Sequence, residues 1–367
     1  MKVFVEKSRL ETELRLFQGI FERKTVMEIL QNIKVTAFAG GALELVATDL
    51  EIGLSANLPL EVAEPGAFTV NGKDLYELVA RMPDGRIEIS EDNDLQVMVA
   101  NERRTIKYRL PAQAAAKYPQ LPTSDFSTSV RIPLTDFASL IEATHYVISP
   151  ELKFNIGGAL MSISKNRLEL AATDGHRLAY SFCMAEFSSE EPIDYIVSRK
   201  TLLELLKIGS DGELEFAFDK NNLFFRYKNK VLSSRIIDQK FPNYKAVIPD
   251  HSDGVALASR EELQSMLRRI LVFKARSPGV IFKFSPGKLV LERSTPEKGE
   301  GYDEMAVEYD GKPVTVGFNG AFVLDFLAHT TGDKVSFAMT DGDSAFLLRP
   351  QTEGAMKLLY IVMPFNV

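Results

Sequence analysis

The run SREELQSMLRRIL, residues 259–271, carries Leu263, Met266, Leu267 and Ile270 at three- and four-residue spacings, which turns one apolar stripe of a helix toward a core. It opens on Ser259 with Glu262, the S-x-x-E pattern in which a hydroxyl and a carboxylate satisfy first-turn amides. VIFKFSPGKLVLE, residues 280–292, follows as two strand-like runs around Pro286-Gly287, a hairpin signature.

The same order occurs twice more. Residues 8–21 place Leu10, Leu14, Phe17 and Phe21 on one helical face, with Ser8 and Glu11 again fitting S-x-x-E, and residues 135–147 do so with Phe137, Leu140, Ile141 and Thr144. Hairpins follow at 37–47 across Gly40-Gly41 and at 159–172 across Lys165-Asn166. Each copy then continues through a short strand (68–70, 195–197, 314–316) into a second helix (73–82, 199–208, 321–329), with Asn71, Ser198 and Asn319 at N-cap positions. Strand pairs over 86–110, 213–237 and 334–362 close the copies, broken at Asp92-Asn93, Asn221-Asn222 and Asp341-Gly342. The expected architecture is α+β: three modules, 1–125, 126–250 and 251–367, each with two helices packed on antiparallel strands. Turn-rich segments at 119–129 and 249–254 read as linkers, and modules meeting edge to edge would continue one sheet.

At 367 residues and 45% apolar content the chain can bury several cores. The first seven residues, MKVFVEK, meet charge at Glu6, and no run approaches the ~20 apolar residues that span a bilayer. A cytoplasmic protein without membrane contact is therefore expected. The single Cys183 excludes an intramolecular disulfide and reads as a core residue. Counting 43 Lys plus Arg against 50 Asp plus Glu gives a net charge of −7, which argues against a uniformly basic nucleic-acid binder but not against a ring with a basic lining.

Asp174 and His176 are the pair most suggestive of chemistry, since a carboxylate near an imidazole can serve a hydrolase as general base or bind a metal. The chain has only four histidines, no H-E-x-x-H, no cysteine-rich ligand set and no G-x-S-x-G, so no catalytic residue, metal or cofactor is expected. Asp174-Gly175 after a strand reads more simply as a turn. A repeat scaffold that does not bind DNA stays open on the acidic charge.

Ala172-Thr173-Asp174-Gly175-His176-Arg177-Leu178-Ala179, Phe241-Pro242-Asn243-Tyr244 with residues 247–249, Gly317-Phe318-Asn319 with Val323-Leu324-Asp325, and Tyr360-Ile361-Val362-Met363-Pro364 closely resemble the β subunit of bacterial DNA polymerase III, the β sliding clamps. The resemblance runs the length of the chain in order, including Ala47-Thr48-Asp49-Leu50 and Glu64-Pro65-Gly66. It implies a head-to-tail homodimer closing as a ring around duplex DNA, a processivity factor that tethers the replicative polymerase, clamp loader and other partners without catalysing a reaction. It implies a partner-peptide pocket formed by Ile156, Thr173, Gly175, His176, Arg177, Leu178, Pro242, Val247, Phe322, Ile361, Met363 and Pro364. Sequence-independent DNA contacts are expected from Lys24, Lys73, Arg81, Arg199 and Lys200, and a dimer contact from Ile106, Tyr108, Leu271 and Val272. Asn155, where the family often carries an aromatic residue, Phe322 in place of a tyrosine, and the Phe365-Asn366-Val367 ending without an arginine depart from the family pattern, and the lost phenol hydroxyl and terminal cation imply a more apolar peptide preference.

Overall fold

The computed structural model describes the chain except residues 22–25, 92–94, 150–156, 188–191, 274–277, 296–298, 352–353 and 366–367. In the first third, β1 (Lys2–Glu6) runs into α1 (Lys7–Phe17). There follow β2 (Asn32–Phe38), β3 (Ala42–Thr48), β4 (Ile52–Pro59), β5 (Glu61–Glu64), β6 (Gly66–Asn71), α2 (Gly72–Arg81), β7 (Arg86–Glu91), β8 (Gln96–Asn101) and β9 (Lys107–Ala114). The middle third holds β10 (Val130–Pro133), α3 (Leu134–Glu142), β11 (Gly158–Ser164), β12 (Arg167–Thr173), β13 (Arg177–Met184), β14 (Ile193–Ser198), α4 (Arg199–Ile208), β15 (Glu213–Phe218), β16 (Asn222–Tyr227) and β17 (Lys230–Arg235). The last third holds β18 (Gly254–Ser259), α5 (Arg260–Ile270), β19 (Gly279–Ser285), β20 (Lys288–Thr295), β21 (Gly299–Ala306), β22 (Val314–Asn319), α6 (Gly320–Ala328), β23 (Lys334–Met339), β24 (Phe346–Pro350) and β25 (Lys357–Val362).

The repeat shows in how helices begin. Asn71 accepts from the amides of Lys73 and Asp74, Ser259 from that of Glu262, and Asn319 from that of Ala321, so three of the expected caps form. The cap expected at Ser8 does not. There β1 runs straight into α1, the Lys7 amide donates to the Gly85 carbonyl at 2.9 Å, and Glu11 turns to Lys7 and Arg15 instead. The helix begins at Lys7 with Glu6 in the N-cap position, so Ser8 already lies inside the first turn and cannot cap it. Leu134 and Arg260 start α3 and α5 the same way, on the carbonyls of Gly212 and Asp333.

α3 also stops short of its expected length. Thr144 turns its hydroxyl back onto the Leu140 carbonyl at 2.7 Å, and the chain passes into a 3-10 turn over His145–Val147. All three expected hairpins form, with Gly41 and Gly287 at positive φ. The Asp92-Asn93 turn lies outside the described residues.

The chain divides into two compact units, neither a continuous stretch: Met1–Thr135 with Lys200–Ile236, and Asp136–Arg199 with Ile237–Val367. In the first unit one antiparallel sheet runs β10-β15-β16-β17-β4-β3-β2-β6-β9-β8-β7-β1-β5. Its joint is β17 against β4, in register from Lys230↔Ala56 to Ser234↔Ile52, so strands of the middle third extend those of the first. Leu10, Leu14 and Phe17 of α1 and Leu75 and Val79 of α2 are buried. The second unit has a sheet β14-β11-β12-β13-β25-β24-β23-β18 and another, β21-β20-β19-β22. Its joint pairs β13 with β25, Arg177↔Val362 and Leu178↔Ile361 among the partners. Edge-to-edge continuation, anticipated from the modules, thus occurs inside each unit and covers edges that would otherwise offer unpaired amides. No described helix is long and apolar enough to cross a membrane.

Candidate ligand-binding cleft

The turn between β12 and β13 is built by its own side chains. The Thr173 hydroxyl donates to the Arg177 carbonyl at 2.7 Å and accepts from the Gly175 amide at 3.1 Å. One oxygen of Asp174 accepts the amides of His176 and Arg177 at 3.0 and 3.1 Å. Gly175 takes φ +86°, where a side chain would strain the backbone. The other Asp174 oxygen accepts from Arg177 Nε at 2.9 Å, so this carboxylate serves the turn and the guanidinium. That arrangement leaves the hydrolase reading without its orienting carboxylate.

Arg177 is the centre of a second set of contacts. Its Nη1 reaches Asp325 Oδ2 at 2.8 Å and the Tyr360 hydroxyl at 3.5 Å, and its Nη2 reaches the Tyr146 carbonyl at 3.3 Å. The guanidinium lies 4.1 Å from the centre of the Phe322 ring, in cation–π range. Its side chain is only 9% exposed. Burial opposes its charge, yet the Tyr360 hydroxyl and the carboxylates of Asp325 and Asp174 outweigh that and push its pKa up.

Above this support a cleft of about 330 Å³ opens in the second unit, lined by Thr173, Gly175, His176, Arg177, Leu178, Pro242, Asn243, Tyr244, Val247, Ile361 and Met363. Leu178 and Ile361, paired across the β13–β25 joint, are buried, while Val247 and Met363 are exposed, so the slot has an apolar floor and an apolar rim. The Met363 amide donates to the His176 carbonyl at 3.0 Å and ties the two walls. Of the expected pocket residues, Phe322 lies beneath Arg177 and Pro364 follows Met363, neither on the cleft surface; Ile156 and Asn155 lie outside the described residues. Asn243 and Tyr244 line the cleft although they were not among the candidates. Tyr244 packs into one cluster with Leu178, Tyr180 and Ile361, and the Phe241-Pro242-Asn243-Tyr244 run was the signal for it.

The turn has a twin in the first unit. Thr48 donates to the Ile52 carbonyl and accepts the Leu50 amide, and Asp49 accepts the amides of Glu51 and Ile52. Leu50 stands where Gly175 does, at φ +77°. A leucine there costs about 1–2 kcal/mol, so Leu50→Gly is expected to stabilise by roughly 0.5 kcal/mol after the entropy of glycine is deducted, read as a higher urea midpoint. A cleft at this joint, about 350 Å³, is lined by Lys34, Glu44, Val46, Ser55, Phe126, Val231 and Ser233 with the segment 119–124, so charged and hydroxyl groups share its walls with apolar ones.

The basic candidates differ in freedom. Lys73 and Arg81 are exposed on α2 and share Glu77. Arg199 donates to the His145 carbonyl at 3.4 Å, and Lys200 is bound to Asp49 and the Ile20 carbonyl, which restrains both from reaching outward. Lys24 lies outside the described residues, as do Asn366 and Val367 of the chain's ending. Tyr108 and Val272 are exposed, and Ile106 and Leu271 are half-buried. β9 pairs with β8 through 107–111 and with β6 only from Ala112, so among the described strands its segment 107–110 has one free edge.

Three family models match the chain in succession: DNA polymerase III beta subunit, N-terminal domain over residues 1–122, central domain over 131–243 and C-terminal domain over 245–366. The beta sliding clamp of Pseudomonas putida is 28% identical over the full length of both chains. A Pseudomonas aeruginosa sliding clamp solved bound to griselimycin superposes with a TM-score of 0.90 at 27% identity, covering all of both chains. A C. crescentus beta sliding clamp with polyethylene glycol bound to a candidate beta-motif tethering region gives 0.90 at 27%, covering all of this chain and 99% of that one.

Proposed function

The chain belongs to the DNA polymerase III beta subunit family and is a DNA sliding clamp, and we propose that it acts as a processivity factor whose partners dock in the cleft of the second unit. The observation that carries the docking site is the apolar floor of Leu178 and Ile361 beneath the rim of Met363 and Val247. A short segment with apolar side chains, from the replicative polymerase, the clamp loader or another partner, fills such a slot, and the thioether of Met363 adapts to several. Tethering raises the effective concentration of the polymerase without a tight contact to DNA.

The DNA contact is electrostatic and without sequence preference, with exposed Lys73 and Arg81 better placed than Arg199 or Lys200. Encirclement comes from a head-to-tail homodimer in which the free edge of β9, with Ile106 and Tyr108, meets Leu271 and Val272 of a second copy. The loop before β9 is preset for this: Arg104 clamps buried Glu88 and holds its carboxyl below the usual range, and Asn101 bonds the Ile106 amide and the Thr105 hydroxyl. The clamp performs no catalysis and acts in the cytoplasm.

Loading onto nicked circular DNA should give a complex that survives gel filtration and is lost when the circle is linearised. Equal retention on circular and linear DNA would sink the ring. Light scattering should find a dimer at micromolar concentration, and a stable monomer would remove the proposed interface.

A further inference from the structure

From the contacts of Arg177 we infer that Asp325 is a positioning residue for the docking cleft, setting its charge selectivity through that arginine. The inference rests on the docking reading of the cleft. Arg177 lines the cleft, but its donors are directed to Asp174, Asp325, the Tyr146 carbonyl and the Tyr360 hydroxyl. Its charge therefore faces a ligand only to the extent that those partners leave it uncancelled.

The two carboxylates play different parts. Asp174 holds the turn through two amides as well as the arginine, so it cannot be altered without disturbing the wall of the cleft. Asp325 sits on α6 with its side chain 44% exposed, and its contact with Arg177 joins residues 148 positions apart. With both carboxylates present the cation is more than neutralised, and the slot favours uncharged, apolar segments. With Asp325 neutral, Arg177 and Asp174 cancel, and an anionic group on the ligand no longer meets a net negative charge. At separations near 10 Å and an effective dielectric near 20, one unit charge changes affinity by about tenfold.

The probe is an apolar tetrapeptide chosen for the apolar floor, acetyl-Ala-Leu-Ala-Leu, made with a free C-terminal carboxylate and as the C-terminal amide, titrated against the full-length protein by calorimetry. Asp325→Asn keeps the side-chain shape and is expected to shift the ratio of the two affinities about five- to tenfold toward the carboxylate form. Asp325→Glu should return the ratio to within about twofold of the parent. A purely structural defect would weaken both peptides alike and leave the ratio where it was, which overturns the inference. Met363→Ala separates the two levels: if it weakens both peptides while Asp325→Asn leaves the ratio unchanged, the cleft stands and the role of Asp325 falls. If Met363→Ala changes neither, the docking reading itself fails and takes the role of Asp325 with it.

Discussion

Met363→Asp is expected to lower the affinity of a partner peptide by at least about 100-fold, on the order of 3 kcal/mol, without unfolding the protein. Met363 is 42% exposed on the rim, so a carboxylate there is solvated while the cleft is empty. Docking removes that water against Leu178, Ile361 and Val247, none of which can hydrogen-bond an anion through its side chain. Met363→Ala removes only apolar contact and should cost nearer tenfold. Fluorescence anisotropy with a labelled segment of the cognate polymerase measures both. Retention on nicked circles should be unchanged, because the closing surface and the cleft use different residues; parallel loss of both activities would mean that the substitution damages the fold.

Arg177→Ala should cost roughly 3–5 kcal/mol of stability, the range for removing one partner of a buried ion pair. Asp174 would keep its two amides but lose the donor to its second oxygen, Asp325 would lose its cation, and the Tyr146 carbonyl would lose a bond. The stack on Phe322 would go as well, so packing is lost along with charge. Arg177→Lys should recover less than half, because an ammonium cannot serve two carboxylates and a carbonyl while lying flat on a ring. Urea denaturation with far-ultraviolet circular dichroism reads the series. Equal midpoints for the parent and the alanine variant would show that these contacts contribute nothing net.

The parts of this fold that were legible from sequence are those that local chemistry specifies. Asn71, Ser259 and Asn319 cap helices because an oxygen lies within reach of amides two or three residues on. Gly41 and Gly287 mark hairpins because those turns need positive φ. Ser8 misled because β1, a short strand that the pattern did not reveal, runs into a helix that begins at Lys7, which puts Glu6 at the N-cap and Ser8 inside the first turn. The third strands, β4, β13 and β21, were missed for a related reason: their worth lies in pairing with distant or neighbouring strands rather than in their own composition.

The cleft was legible only in part. Its apolar members stood out once the ordered motifs were recognised, but Arg177 was grouped with them as a contact residue. Its partners are far away in sequence, Asp325 most of all, and no local spacing foretells such a pairing. Tyr108 marks another boundary. β9 is exposed on both faces over residues 107–109, so alternation carries no information about which side is covered.

The two discontinuous units set a timetable for synthesis. Because β17 must pair with β4, the first unit cannot be completed until residue 236 has left the ribosome, and by then residues 136–199 have emerged without the β25 that their sheet requires. Strands β4 and β13 therefore wait, one after the other, with open edges in the nascent protein. A message truncated after the first third would release a chain whose β4 edge is permanently unpaired. Such fragments should be drawn into aggregates or bound by chaperones rather than accumulate as folded domains, and a ribosome paused near residue 200 would hold the chain at its most vulnerable length.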